Sequence, residues 1–286
     1  MLKSSQPELA LVLGSGGVRS IAALGVTEVL WREGIAPDLI VGCSAGALFG
    51  ALISTGHSAS KAVEIATTLW TAEVTKSHRW CAIAQMVWPR LGKFNADFSL
   101  RNDHLILNRL KCAFGDVNIE DLKIPLRVTA TDASTGHAVI IGQGRLVDAL
   151  RASIAMPFMF APHYINGQRI CDGFVSDPLP VSAAQDANVV LALGFDAPMP
   201  QRVNNASRLL AQVTSSMTNN LMNARLAAAR SNGMRLLRIE PTLERRIGLF
   251  DTEAMPYLVE QGRQAAIKML PAIYALLDHK PHLKVA

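Results

Sequence analysis

A five-residue run, Gly42-Cys43-Ser44-Ala45-Gly46, constrains this chain more than any other feature. An apolar stretch, Leu39–Cys43, runs into it, and a second, Ala45–Thr55, runs out of it and stops at Gly56. The first has the length and composition of a buried strand, the second those of a buried helix. A strand that turns sharply into a helix around G-x-S-x-G lifts the serine hydroxyl above a sheet and points the helix N-terminus at it. The flanking glycines let the backbone bend tightly without Cβ clashes. Ser44 is therefore a candidate nucleophile. The simpler reading of the same residues is a packing turn with Ser44 as a helix N-cap. Leu39–Ser60 carries no charge and is long enough to span a bilayer, but glycines at 42, 46, 50 and 56 and several polar side chains interrupt it. A buried strand and helix are expected there instead.

Strand and helix patterns alternate along the rest of the chain. Glu8–Leu13, Leu126–Thr131, Ala138–Ile141, Asn188–Gly194 and Met234–Ile239 read as strands. Arg19–Glu33, Ala59–Glu73, Ser207–Arg230 and Glu253–Asp278 read as helices, and Asn166-Gly167 as a tight turn between short β runs. The order predicts an α/β fold, with a parallel or mixed sheet covered by helices on both faces. Half of the 286 residues are hydrophobic and the mean hydropathy is +0.22, which supplies a sizeable core and excludes a disordered chain. No internal repeat or Gly/Pro/Ser-rich linker divides it. A single domain over 1–286 is expected, with a motif-bearing core at 9–196 and C-terminal helices and a strand, 203–286, packed on it. Cysteines at 43, 81, 112 and 171 form no C-x-x-C pair, so free thiols in a reducing compartment are expected and no metal site. The N-terminus holds only a short apolar run, Leu9–Leu13, so no signal peptide is expected and the localisation reads as cytoplasmic.

The charge is unevenly placed. Lys76–Lys111 carries seven Lys/Arg against two Asp/Glu, and Arg202–Arg246 eight Arg against two Glu. No helix-turn-helix, zinc finger or RNP-like motif accompanies these stretches, so nucleic acid is not an expected partner. Either they are solvated helix faces or they meet an anionic surface. Trp80 and Trp88 within the first stretch favour a lipid interface, since indole rings prefer the headgroup level. With Arg79, Arg90 and Lys93 they are expected to form a cover, or lid, docking on anionic membranes; the alternative is that both are core residues.

Gly14-Ser15-Gly16-Gly17-Val18-Arg19-Ser20 also follows a strand and opens a helix. Consecutive backbone N–H groups in such a loop can hold an anion. A dinucleotide fingerprint needs glycine at 19 and a P-loop needs Gly-Lys-Ser/Thr at 19 to 21, and Arg19-Ser20-Ile21 satisfies neither. An oxyanion hole needs only N–H groups aimed at developing charge, which Ser15, Gly16, Gly17 and Val18 can supply. Arg19 either fixes that loop, balances substrate charge or lies on the surface. Asp172-Gly173, taken alone, reads as a turn.

Taken together, these segments resemble the patatin-like phospholipases, particularly their bacterial members, over about Leu9 to Phe195. Leu11–Ser20 resembles the family's glycine-rich oxyanion loop, and Gly42–Gly46 its serine elbow. Arg151–Pro157 with Ala161-Pro162 resembles the segment that leads into its Asp-Gly motif. Ser15 and Ser20 replace glycines usual in that loop, and Phe174 replaces the small residue that usually follows Asp-Gly, which bears on loop conformation and pocket shape. The resemblance implies a three-layer α/β/α sandwich with a mainly parallel central sheet. It also implies acyl-ester hydrolysis of phospholipids or lysophospholipids by a Ser44–Asp172 dyad, with no cofactor. A Ser–His–Asp esterase is the runner-up, with His163 as base and Asp132 or Asp148 as its acid. A non-catalytic lipid-binding protein of the same fold is the third reading. Cys43 and Cys171, each next to a proposed catalytic residue, are expected to be reduced and buried.

Overall fold

The computed structural model describes residues 6–71, 73, 74, 82 and 95–277. Trp80, Trp88, Arg79, Arg90 and Lys93, and with them the expected cover, lie outside the described residues.

Five strands that read as apolar runs build the sheet's middle. β1 (Leu9–Leu13), β2 (Leu39–Cys43) and β7 (Val189–Leu193) are buried at every position. That is the signature of parallel strands covered on both faces. Pairing runs β5-β6-β3-β2-β1-β7-β8, where β3 is Leu126–Asp132, β5 His163–Ile165, β6 Gln168–Asp172 and β8 Leu236–Ile239. β4 (Ala138–Ile141) pairs with β3 as well. The β3-β2-β1-β7-β8 run is parallel, and β4, β5 and β6 are joined antiparallel at one side. The sheet is therefore mixed and mainly parallel, as expected.

Alternation along β1 assigns the two faces. Leu9, Leu11 and Leu13 enter one core with α1 (Ala22–Arg32), α2 (Ala45–Ser54), α3 (Ala59–Leu69), α4 (His104–Phe114), α5 (Leu146–Ser153) and α7 (Met255–Leu277). Ala10 and Val12 enter a second core with the turn Val181–Ala184 and three residues of α6 (Ala206–Ser231). Helices thus cover both faces of the sheet, giving three layers. α1 and α7 approach closely because Gly25 faces the Val259 carbonyl and Gly262 faces the Ala22 carbonyl, with no room for a Cβ at either.

One local reading is corrected, and two helices are added. α3 ends at Leu69 rather than Glu73: Trp70 is extended, buried, and stacked on Phe250 at 6.0 Å between ring centroids. A tertiary contact here overrides the helical pattern. α4 and α5 are helices beyond those expected from the sequence, although Asp103 and Gly115 bracket α4, and Arg151 of α5 joins them through Asp103 at 2.7 Å. The uncharged stretch 39–60 is β2, α2 and the start of α3. Among the described residues no helix is long and apolar enough to cross a membrane.

Candidate active site

Strand β3 works as a ruler that brings two distant segments end to end. Its residue Thr129 pairs with Cys43 of β2 on one edge and Ile140 of β4 on the other. Its next residue, Ala130, pairs with Asp172 of β6 and Val139 of β4. Since β4 holds one edge throughout, β6 takes over the other edge at the point where β2 leaves it. The antiparallel β6 therefore ends head-on against the end of β2, and Asp172 meets Ser44, the residue after Cys43. The Ser44 Oγ donates to Asp172 Oδ2 at 2.6 Å.

Ser44 is held in an unusual backbone conformation, φ 56° and ψ −127°. For a residue with a Cβ this costs about 1–3 kcal/mol and persists only where the surroundings impose it. They do so here. Gly46 lies against the carbonyls of Leu13 and Gly14, the latter 2.6 Å from where a Cβ would sit, so α2 starts hard against the end of β1. The Ser44 N–H donates to Ser153 Oγ at 2.8 Å, and Ser153 Oγ donates to the Thr129 carbonyl at 2.7 Å. Ser153, at the end of α5, thus ties the elbow to β3. Nothing local in the sequence marks this role; its only signal is its place within the Arg151–Pro157 segment.

Asp172 is fixed on all sides. Its N–H donates to the Ala155 carbonyl at 3.0 Å, and its own carbonyl accepts from Thr131 Oγ1 at 2.9 Å. Oδ1 accepts from the Phe174 N–H at 3.0 Å, leaving Oδ2 to Ser44. The side chain is 1% exposed. Burial pushes its pKa up to about 7, against the opposing pull of the Phe174 and Ser44 hydrogen bonds. A carboxyl at that value can take and return a proton near neutrality. Cys43 and Cys171 are free and buried, and burial followed by the Asp172 charge raises both thiols, Cys171 to about 11. Both stay protonated beside the Ser44–Asp172 hydrogen bond.

The glycine-rich loop lies at the end of β1, next to the first turn of α2. Most of its amides are engaged inside the protein. Gly14 N–H donates to the Leu193 carbonyl, Ser15 N–H to Pro178, Val18 N–H to Leu249 and Arg19 N–H to Gly16. Among the described residues, only the Gly16 and Gly17 amides of this stretch have no acceptor in the protein. Arg19 is buried. Its Nε donates to the Gly16 carbonyl at 3.2 Å and its Nη1 to the Asp196 carbonyl at 3.0 Å, and its guanidinium lies 5.2 Å from the Phe195 ring centroid. It braces the loop from behind. His163 of β5 faces Asp148 at 3.4 Å, while the Ser44 hydroxyl is taken by Asp172.

The patatin-like phospholipase family model matches residues 11–184, a span that holds the loop, Ser44 and Asp172. An uncharacterized NTE family protein of Mycobacterium tuberculosis is 36% identical over 190 residues, 66% of this chain and 49% of that protein. Patatin-like phospholipase domain-containing protein 7 of Rattus norvegicus is 30% identical over 194 residues, 65% of this chain and 13% of its own length. Lysophospholipase NTE1 of Saccharomyces cerevisiae is 29% identical over 174 residues, 61% of this chain and 10% of that protein. The chain spans about half the length of the mycobacterial relative and a small part of the other two. With more than half of its residues matched by the family model, the chain belongs to the patatin-like phospholipase family.

Proposed function

We propose that the chain hydrolyses acyl esters of phospholipids or lysophospholipids, with Ser44 as nucleophile and Asp172 as its general base. The observation that carries this reading is the 2.6 Å hydrogen bond from the Ser44 hydroxyl to a fully buried carboxyl whose pKa is about 7. Ser44 Oγ attacks the ester carbonyl carbon while its proton passes to Asp172 Oδ2. The amides of Gly16 and Gly17 receive the oxyanion, each worth about 3 kcal/mol in comparable sites. Collapse of the tetrahedral intermediate returns the proton from Asp172 to the departing alcohol and leaves an acyl-Ser44 ester. Water then attacks that ester and gives its proton to Asp172. The second collapse restores the Ser44 hydroxyl and releases the fatty acid. No step as written calls for a metal or an organic cofactor.

The test is turnover of p-nitrophenyl acyl esters of increasing chain length, followed by a lysophospholipid and a diacyl phospholipid, with a fluorophosphonate as active-site label. Hydrolysis together with labelling that Ser44→Ala removes is the expected result. A protein that neither turns over any of these esters nor reacts with the label contradicts the proposal and leaves the non-catalytic lipid-binding reading.

A further inference from the structure

α6 is far longer than the sheet it crosses. Its 26 residues extend about 39 Å, whereas a five-residue strand such as β7 covers about 17 Å. The helix leaves the C-terminal end of β7 and returns to the N-terminal end of β8, so its own N-terminus lies at the strand ends where Ser44 and the glycine-rich loop sit. Its buried residues, Met222, Leu226 and Ala229, are all in the second half. Residues 201–211 are exposed without interruption, including the first six of the helix. Among the described residues, the hydrogen bonds nearest the helix N-terminus that tie it back run to the incoming chain: Ser215 Oγ donates to the Pro198 carbonyl, and Asn219 exchanges hydrogen bonds with the backbone of Ala197. The overhang is therefore an arm at the active-site end.

The arm is apolar on the side turned away from the body. Leu209, Leu210, Val213 and Met217 are 47–67% exposed. At about 100° per residue they share one arc, nearly opposite the arc of Met222, Leu226 and Ala229. Met199 and Val203, also exposed, lie just before the helix. Between Asp196 and Glu240 the chain has six arginines and no acidic residue. Arg202 and Arg208 stand at the arm's tip.

We infer that the N-terminal half of α6 is a membrane-docking arm, laying Leu209, Leu210, Val213 and Met217 into an anionic phospholipid surface beside the Ser44 end of the sheet. An apolar stripe on one face, with arginine on the polar face and no acid, is the pattern of a helix lying in a lipid interface. A second copy of the chain fits less well, since the arm carries Arg202 and Arg208 and no acid, so two arms brought together would repel. The choice of a lipid surface rests on the hydrolase reading above. Binding is nevertheless measured without turnover, so the two can fail separately.

The experiment is co-sedimentation of the Ser44→Ala chain with vesicles of phosphatidylcholine alone and with a third phosphatidylglycerol. Three proteins are compared: Ser44→Ala itself, the same chain with Leu210→Glu and Met217→Glu, and the same chain with Arg202→Ala and Arg208→Ala. All changed arm positions are solvent-exposed, and circular dichroism checks the fold. The parent is expected to bind the anionic vesicles. The glutamate pair should weaken binding at least tenfold, and the alanine pair should weaken it severalfold and reduce its salt dependence. Parent binding that the glutamate pair leaves unchanged overturns the inference. So does failure of the parent to bind anionic vesicles, or a dimer in solution that the glutamate pair converts to a monomer.

Discussion

The elbow around Ser44 and the arm of α6 stand at the same end of the sheet and are built on opposite terms. At the elbow, a strained serine is clamped by Ser153, by the Gly14 carbonyl against Gly46 and by a carboxyl 2.6 Å away, all of it buried. On the arm, eleven consecutive residues are exposed and the apolar side chains touch solvent. The elbow's geometry exists because distant segments enforce it, and a change there is felt as lost chemistry or lost fold. The arm's helix holds its shape through local hydrogen bonds and a capping Asn205, whose side chain accepts from the Arg208 N–H. Changes there should leave fold and chemistry intact.

The largest expected effects come from removing the reacting groups. Ser44→Ala should abolish turnover and fluorophosphonate labelling, and Asp172→Asn should lower turnover about 10²- to 10⁴-fold, the range for a positioned base. Next comes the clamp. Gly46→Ala pushes a Cβ into the Leu13 and Gly14 carbonyls, and chemical denaturation should show a loss of about 3 kcal/mol with turnover collapsing alongside it.

The buried carboxyl makes a pH-dependent prediction. Folding favours protonated Asp172, because its pKa rises from 3.8 to about 7 on burial. Its contribution to stability is therefore intact below pH 3.8 and is lost as pH rises through about 7. Asp172→Asn should exceed wild type in stability by up to about 4 kcal/mol above neutrality, with the difference vanishing in acid. Ser153→Ala should cost about 1–3 kcal/mol, since it strips a partner from the Ser44 amide and the Thr129 carbonyl. At the far end of the scale, Val213→Ser on the arm should change stability by less than about 0.5 kcal/mol. A large loss there would erase the contrast between the two regions.

How much of this is legible in the sequence follows the range of the interactions. β2, the Ser44 turn and α2 are legible because apolar runs and glycines announce them locally. So is the Asn166-Gly167 hairpin turn, where both residues have positive φ. The pattern Ile106, Leu110, Phe114 also carries α4, with Asp103 before it and Gly115, at positive φ, after it. The abutment of β6 on β2 is not legible, since it depends on the register of β3 with three partners at once. The resemblance names Asp172, but only that register explains why it meets Ser44. The engagement of the Ser15 and Val18 amides by Pro178 and Leu249 is likewise long-range, as is Ser153 beneath the elbow. The arm needs both scales. Its arginines and apolar residues are visible in the sequence, but its exposure follows from how far a 26-residue helix overshoots the sheet.

The most direct test of the account is the rate of fluorophosphonate labelling at Ser44 as a function of pH in wild type, Asp172→Asn and His163→Ala. If Asp172 is the base, wild-type labelling rises with pH through an apparent pKa near 7, where burial puts this carboxyl. His163→Ala should keep that profile, because His163 pairs with Asp148 and not with the serine. Asp172→Asn should label at least about a hundredfold more slowly and without the inflection. Loss of labelling in a folded His163→Ala protein, with Asp172→Asn still reacting, would contradict the dyad and put a histidine in its place.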